Sequence, residues 1–263
     1  MRSFIEPEQK ILLDVVFCVD GTKSMENKFS HAFLYEIMGL NETNPNQDQQ
    51  FILLNSESFR NAEKRYRVIV FRDYLDSGSA NPIEMSGVFD TTRKLKDFMD
   101  SIQFVGGGDE PENSLEAIFE AIRSNQWISM PDKENYRQVI IVLTDSVPCD
   151  FSIRRRRKKG YPAAGMPQSL MKLKKIWYTT DLDSFPGFIP ECARLIIIGP
   201  HVRDKKHDGL IDWLSIASWD RTWFVPVSFA SGRFDHYKTD FEEARQLIRS
   251  SYPKQPAGEK EDG

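Results

Sequence analysis

Between Ile11 and Met25 the chain reads Ile-Leu-Leu-Asp-Val-Val-Phe-Cys-Val-Asp-Gly-Thr-Lys-Ser-Met, and no other stretch constrains the fold as much. Its apolar part has the length of a strand and is too continuous for a strand with one face in water. It therefore reads as a central strand of a parallel sheet, covered on both faces. The run ends in an acid and then offers side-chain oxygens at alternating positions, Asp20, Thr22 and Ser24. Oxygens at the carboxyl end of such a strand lie where open α/β sheets bind ligands. Carboxylate and hydroxyl oxygens suit a hard cation, Mg²⁺ or Mn²⁺, which prefers oxygen and keeps some of its waters.

Further strands are expected over Tyr66–Arg72, Val139–Leu143, Leu195–Ile198 and Trp223–Val227, with Pro226 placing the last at an edge. Helical spacing marks Asn27–Met38, Thr91–Ile102 with Asp90 or Thr91 as cap, Gln168–Tyr178, Leu210–Ser218 and Phe241–Ser251. Phe51–Leu54 is a short apolar segment read as helix. One more helix carries Leu115, Ile118, Phe119 and Ile122 as its stripe, with Asp109 near the N-cap and Pro111 and Glu112 in the first turn. Strands alternating with helices predict an α/β fold, a doubly wound, mostly parallel sheet flanked by helices. Gly106-Gly107-Gly108 precedes that helix, and such a run permits the close approach needed by a loop packed against an ion or a neighbouring loop.

The remaining segments restrict the function more than they specify it. Hydrophobic residues at 40% and charged ones at 28% argue against wholesale disorder, and a net charge of −4 gives no reason to expect nucleic acid. Arg154 to Lys159 is an unbroken basic run followed by Gly160, Tyr161, Pro162 and Gly165. It reads as an exposed insertion, a solvated loop in preference to a phosphate contact. Asp73 and Asp76 invite a metal reading, but a solvated turn with Asx caps is preferred, and Gly39–Asp48 reads as an exposed loop.

Cys18, Cys149 and Cys192 lack a CxxC pair, so neither a disulfide framework nor a zinc site is indicated, and Cys18 belongs to the core. Trp213, Trp219 and Trp223 read as packing residues. His31, His201, His207 and His236 show no ligand spacing, and there is neither a phosphate-binding loop nor a Gly-x-Ser-x-Gly elbow. No signal-type apolar segment or stretch of membrane-spanning length occurs, so a cytoplasmic protein without a membrane partner is expected. The expected layout is an extension over 1–9, one domain over 10–251 with an insertion around 149–190, and a disordered tail over 252–263.

Three motifs, in order, carry a family resemblance. Asp20-Gly21-Thr22-Lys23-Ser24 resembles the Asp-x-Ser/Thr-x-Ser signature of the von Willebrand factor A (vWA) family. Gly106-Gly107-Gly108-Asp109-Glu110-Pro111-Glu112 resembles the turn into the family's second metal loop, and Val139–Asp145 the strand ending in its third. The resemblance spans roughly residues 10 to 250 and implies a Rossmann-like fold, in which Ile83–Phe89 supplies a short edge strand. It also implies a MIDAS-like metal site with Thr22 and Ser24 as direct ligands and Asp20 and Asp145 acting through water. A carboxylate from a partner protein completes the shell in the family. Asp109 stands where the family has threonine, and a third carboxylate should tighten cation binding while weakening the pull on an incoming acid.

The resulting expectation is a non-enzymatic module that docks a partner protein through a bound divalent cation, with metal residues Asp20, Thr22, Ser24, Asp109 and Asp145. The second motif resembles that of intracellular vWA proteins working beside kinases, phosphatases or ATPases, some in bacterial stress or phage-defence systems. Two alternatives stay open. Asp109 can serve only as a helix cap in a metal-free scaffold. Val16–Thr22 also resembles the first motif of haloacid-dehalogenase-type phosphatases, although Cys18 occupies the nucleophile position and no paired-acid motif follows.

Overall fold

The computed structural model describes residues 10–28, 53–54, 59, 61–74, 81–107, 111–124, 126–129, 131–152, 160–179, 183–200, 211–227 and 238–250. Strand β1 (Leu12–Asp20) lies at the centre, parallel to β2 (Glu63–Phe71) on one side and to β4 (Tyr136–Leu143) on the other. Beyond β4 come β5 (Ala193–Gly199) and β6 (Thr222–Pro226), both parallel, while β3 (Ile83–Met85) pairs antiparallel with β2. The order β3-β2-β1-β4-β5-β6 is that of a doubly wound sheet whose direction of winding switches between β1 and β4.

Covering on both faces explains the apolar continuity of β1. Leu13, Val15, Phe17 and Val19 enter one core, closed by Leu95 and Met99 of α2 (Thr92–Ser101) and by Phe241, Ala244 and Ile248 of α6 (Lys238–Arg249). Val16 and Cys18 enter the other, closed by Leu115, Ile118 and Ile122 of α3 (Ser114–Arg123). Leu173 and Trp177 of α4 (Leu170–Tyr178) and Trp213 and Ile216 of α5 (Trp213–Ala217) pack on that same side. Side chains alternate between the faces with the period of a strand, so one residue sequence serves two cores.

Several expectations shift in detail. The helix after Asp20 begins at Lys23 (α1, Lys23–Lys28), ahead of Asn27; the rest of the helix expected to Met38, and the loop expected over 39–48, fall outside the described residues. Leu53 and Leu54 are buried but form a bend. Thr91 is the cap of α2, its side chain accepting from the Lys94 amide at 3.4 Å. Helix α3 starts at Ser114, so Pro111 and Glu112 precede it. Glu112 is instead held by the chain after β4, donating to the Val147 carbonyl (3.1 Å) and accepting from the Cys149 amide (2.6 Å). Helix α5 waits for Asp212, whose carboxylate accepts from the Leu214 amide.

Two solvent-exposed readings are corrected. Asp73 is fully buried at the end of β2, where a solvated turn is expected from the sequence. Tyr161 is also buried, its ring stacked on Phe151 and its hydroxyl donating to the Cys149 carbonyl at 3.0 Å. Its neighbour Ala163 donates its amide to Glu116 of α3 (2.6 Å), so this part of the insertion is stitched to the domain. The basic run itself lies outside the described residues, as do Asp76 and the tail expected over 252–263.

Candidate metal centre

The switch between β1 and β4 puts Asp20, the last residue of β1, beside the polar end of β4. Val19 pairs with Leu143, so Thr144 and Asp145 emerge next to Asp20. The Asp20 carboxylate is fully buried and engaged through both oxygens. Oδ1 accepts from the Thr22 amide (3.0 Å) and hydroxyl (2.7 Å), and Oδ2 accepts from the Thr144 hydroxyl (2.7 Å). Thr22 Oγ1 lies 3.1 Å from Ser24 Oγ, which donates to Asp145 Oδ1 at 3.2 Å. Four of the five expected metal residues thus form one chain of oxygens. Asp109, the fifth, lies outside the described residues.

The glycines fix this geometry. Gly106 and Gly107 have φ of 78° and 83°, the left-handed region that glycine occupies without strain. A Cβ on Gly107 would sit 2.5 Å from Thr22 Cβ, so the turn presses directly on the first loop. Two hydrogen bonds lock the loops together, Lys23 amide to Gly106 carbonyl (3.0 Å) and Val105 amide to Gly21 carbonyl (2.9 Å). Gly21 is equally confined, a Cβ there falling 2.5 Å from Val70 Cγ1. Gly107→Ala is accordingly expected to cost about 1–3 kcal/mol, from left-handed strain plus displacement of Thr22. A chemical-denaturation midpoint equal to wild type would contradict this contact.

Thr144 is the site residue that motif reading misses. Besides holding Asp20 Oδ2, its oxygen accepts from the Ser146 amide (3.1 Å), and the Ser146 carbonyl accepts from Trp213 Nε1 (3.0 Å). The only sequence signal is its place at the polar end of a buried strand, adjacent to Asp145.

Burial beside a second carboxylate disfavours the charged form of Asp20, which a positive charge at that carboxylate would offset. Burial pushes the Asp20 carboxyl up to about 6, the Asp145 carboxylate adds to the rise, and the hydrogen bonds from Thr22 and Thr144 only partly offset them. Among the described residues no group of three or more His, Cys, Asp or Glu side chains forms a metal cage. A cation here must use hydroxyls as well as the two carboxylates. The spacing suits one: neighbouring oxygens in an octahedral magnesium shell are about 3 Å apart, and the Thr22–Ser24 and Ser24–Asp145 separations are 3.1 and 3.2 Å. Half-buried Ser24 gives the cluster its opening to solvent.

Cys18 is fully buried, its thiol donating to the Ala117 carbonyl of α3, and burial raises its pKa strongly. Phosphoryl chemistry needs an accessible ionised nucleophile, which this residue does not provide.

No curated protein matches the chain. Among solved structures, the pilus adhesin SpaC from Lactobacillus rhamnosus GG aligns over 92% of this chain and 30% of its own, at 14% identity and a TM-score of 0.47. Proximal thread matrix protein 1 from the mussel byssus aligns over 92% of this chain and 49% of its own, at 12% identity and a TM-score of 0.44. The chain spans less than half the length of either. The family model described as Mediator complex subunit 25 von Willebrand factor type A matches residues 9–171, and the chain belongs to that von Willebrand factor A-type family.

Proposed function

We propose that this chain docks a partner protein through a divalent cation, Mg²⁺ or Mn²⁺, held by Asp20, Thr22, Ser24 and Asp145, with Asp109 as a fifth group. Domains of the vWA type are protein-interaction modules and are in general non-enzymatic. The observation that carries the metal reading is the chain of closely spaced oxygens from Asp20 to Asp145, built around a buried acid with no cationic side chain in its hydrogen bonds. A cation there would offset the two carboxylates and offer a coordination position to a carboxylate of the partner. The residues of this chain hold and orient; the partner supplies the remaining ligand. The inaccessible Cys18 supports a non-enzymatic module over a phosphatase.

The family description names a subunit of a multi-protein complex, which supports work within an assembly. A kinase, phosphatase or ATPase as the partner, and a stress or defence setting, rest on the Gly-Gly-Gly-Asp-x-Pro-Glu motif. Among the described residues no helix is long and apolar enough to cross a membrane. Cys18, Cys149 and Cys192 are buried and in no disulfide, which fits a reducing, cytoplasmic setting.

Asp20→Ala is expected to abolish Mg²⁺ and Mn²⁺ binding in titration calorimetry while the circular dichroism spectrum stays native. Equal affinities in wild type and variant would leave a metal-free scaffold as the reading.

A further inference from the structure

Helix α4 departs from the charge pattern of the other long helices. Lys94 pairs with Asp90 and Lys96 with Asp100 along α2 (2.7 Å each), Arg123 with Glu120 on α3, and Arg245 with Glu242 on α6 (2.6 Å). Helix α4 carries Lys172, Lys174 and Lys175 and has no acid in its sequence. Among the described residues none of these three lysines has a carboxylate partner. In a chain of net charge −4, one helix therefore presents a positive face that nothing described neutralises.

The same face carries apolar surface. Leu173 and Trp177 are buried in the core beneath α4. The stripe opposite them holds Met171, Lys174, Lys175 and Tyr178, spaced three, four and seven residues from the first and so aligned on one side of the helix. Met171 is 73% exposed, the most open large apolar side chain among the described residues, and Tyr178 is 39% exposed. Tyr178 is also held in place: its hydroxyl accepts from the Asp220 amide (2.8 Å), and the Arg221 guanidinium lies 5.7 Å from its ring centroid. Asp220 and Arg221 lead directly into the start of β6, so this end of α4 lies away from the oxygen cluster at the strand ends. Two apolar contacts thus stand about 10 Å apart along the helix, with lysines between them.

We propose that this face of α4 docks an acidic amphipathic helix of a partner protein. Two apolar side chains of that helix, seven residues apart, meet Met171 and Tyr178, and the Asp or Glu residues between them pair with Lys174 and Lys175. Docking here requires no cation. The apolar ends of the stripe favour a polypeptide over a nucleic acid, whose phosphates need only the lysines. A membrane surface is disfavoured because the main apolar stripe of α4 is spent on the core.

Fluorescence anisotropy of a labelled helical peptide, with two leucines seven residues apart and glutamates between them, titrated with the full chain in EDTA, tests the surface. EDTA keeps the glutamates from any metal ion at the oxygen cluster, so failure here is distinct from failure of the cation reading. Saturable binding is expected, weakening as salt rises, and at least about tenfold weaker for the peptide with glutamine in place of glutamate. Lys174→Glu/Lys175→Glu should weaken the glutamate peptide by a similar factor while the circular dichroism spectrum stays native, since neither side chain is buried. A peptide with lysine in place of glutamate should bind that variant more tightly than it binds wild type. Met171→Ser should weaken the glutamate peptide about threefold, and it decides alone if the double variant does not fold. No saturable binding, equal binding of the glutamine peptide, or undiminished affinity in either variant would overturn the proposal. So would a DNA duplex or a phosphatidylserine vesicle that binds the chain more tightly than the peptide and is lost with the two lysines.

Discussion

Trp213→Ala is expected to lower the stability of the domain by about 3–5 kcal/mol, the range for deleting a large aromatic side chain from a packed core. In urea this reads as a fall in midpoint at constant slope. Trp213 opens α5 and is fully buried, in a core shared with Ile216 and Ile197. It fits so closely that a Cβ on Gly199 would stand 3.3 Å from the indole nitrogen. Removing the ring leaves a cavity and also strips the Ser146 carbonyl of its donor. Trp213→Phe narrows the difference, since it keeps one of the two fused rings while losing the hydrogen bond, at about 1–2 kcal/mol for the bond in addition to the smaller void. Ser146 directly follows Thr144 and Asp145, so on the proposed metal reading cation affinity should fall in both variants even at temperatures where each is folded. A loss under 1 kcal/mol in Trp213→Ala would mean that α5 is not part of the cooperative core.

The second large effect lies at the opposite end of the sheet. Arg194, 1% exposed at the start of β5, donates Nε to the Leu247 carbonyl (3.0 Å) and Nη2 to the Ser250 carbonyl (2.9 Å), the end of α6. Its Nη1 serves the carbonyls of Glu191 and Ala193, each at 2.8 Å. Arg137 of β4 donates to the same Ser250 carbonyl at 2.9 Å. Two guanidinium groups therefore satisfy the last carbonyls of α6 and complement the negative end of its dipole. Burial, with Arg137 and Arg221 close by, lowers the Arg194 pKa to about 10, so it remains charged at neutral pH. Arg194→Ala is expected to cost about 3 kcal/mol through the carbonyls left without donors. Because Arg137 shares one acceptor, the double variant should lose less than the sum of the singles by at least about 0.5 kcal/mol. Strict additivity would show that the two do not act on one helix end.

The same arginines explain where sequence reading stopped short. β5 is legible only from Leu195 and β4 only from Val139, since a charged residue at a strand start signals solvent. Here the charge is buried, because a helix terminus supplies its acceptors, and the strands begin at Ala193 and Tyr136. The centre of the sheet was plain: the length of the apolar run in β1 and its ending in Asp20 predict both a doubly covered strand and the position of the polar cluster. The glycine turn was legible as a close approach, though not its target, Thr22, which depends on how two distant loops meet. Thr144 was hidden because a single hydroxyl at a strand end carries no spacing pattern. The local helix-start signal at Pro111 yields to pairing of Glu112 with the chain near Val147, so α3 starts later, at Ser114. Tyr161 carries a misleading local signal, since an aromatic next to a basic run and glycine reads as exposed, whereas Glu116 of α3 holds the Ala163 amide two residues on and the ring is buried.

The flanks of the sheet carry a consequence for behaviour at high concentration. On one side the last described strand, β3, is three residues long; on the other, β6 closes with Pro226, which has no amide hydrogen to donate. Open strand edges are the templates on which copies of a protein add to one another and grow into fibrous, cross-β aggregates, and short or proline-bearing edges suppress that growth. Self-association by strand addition is thereby disfavoured along both described borders.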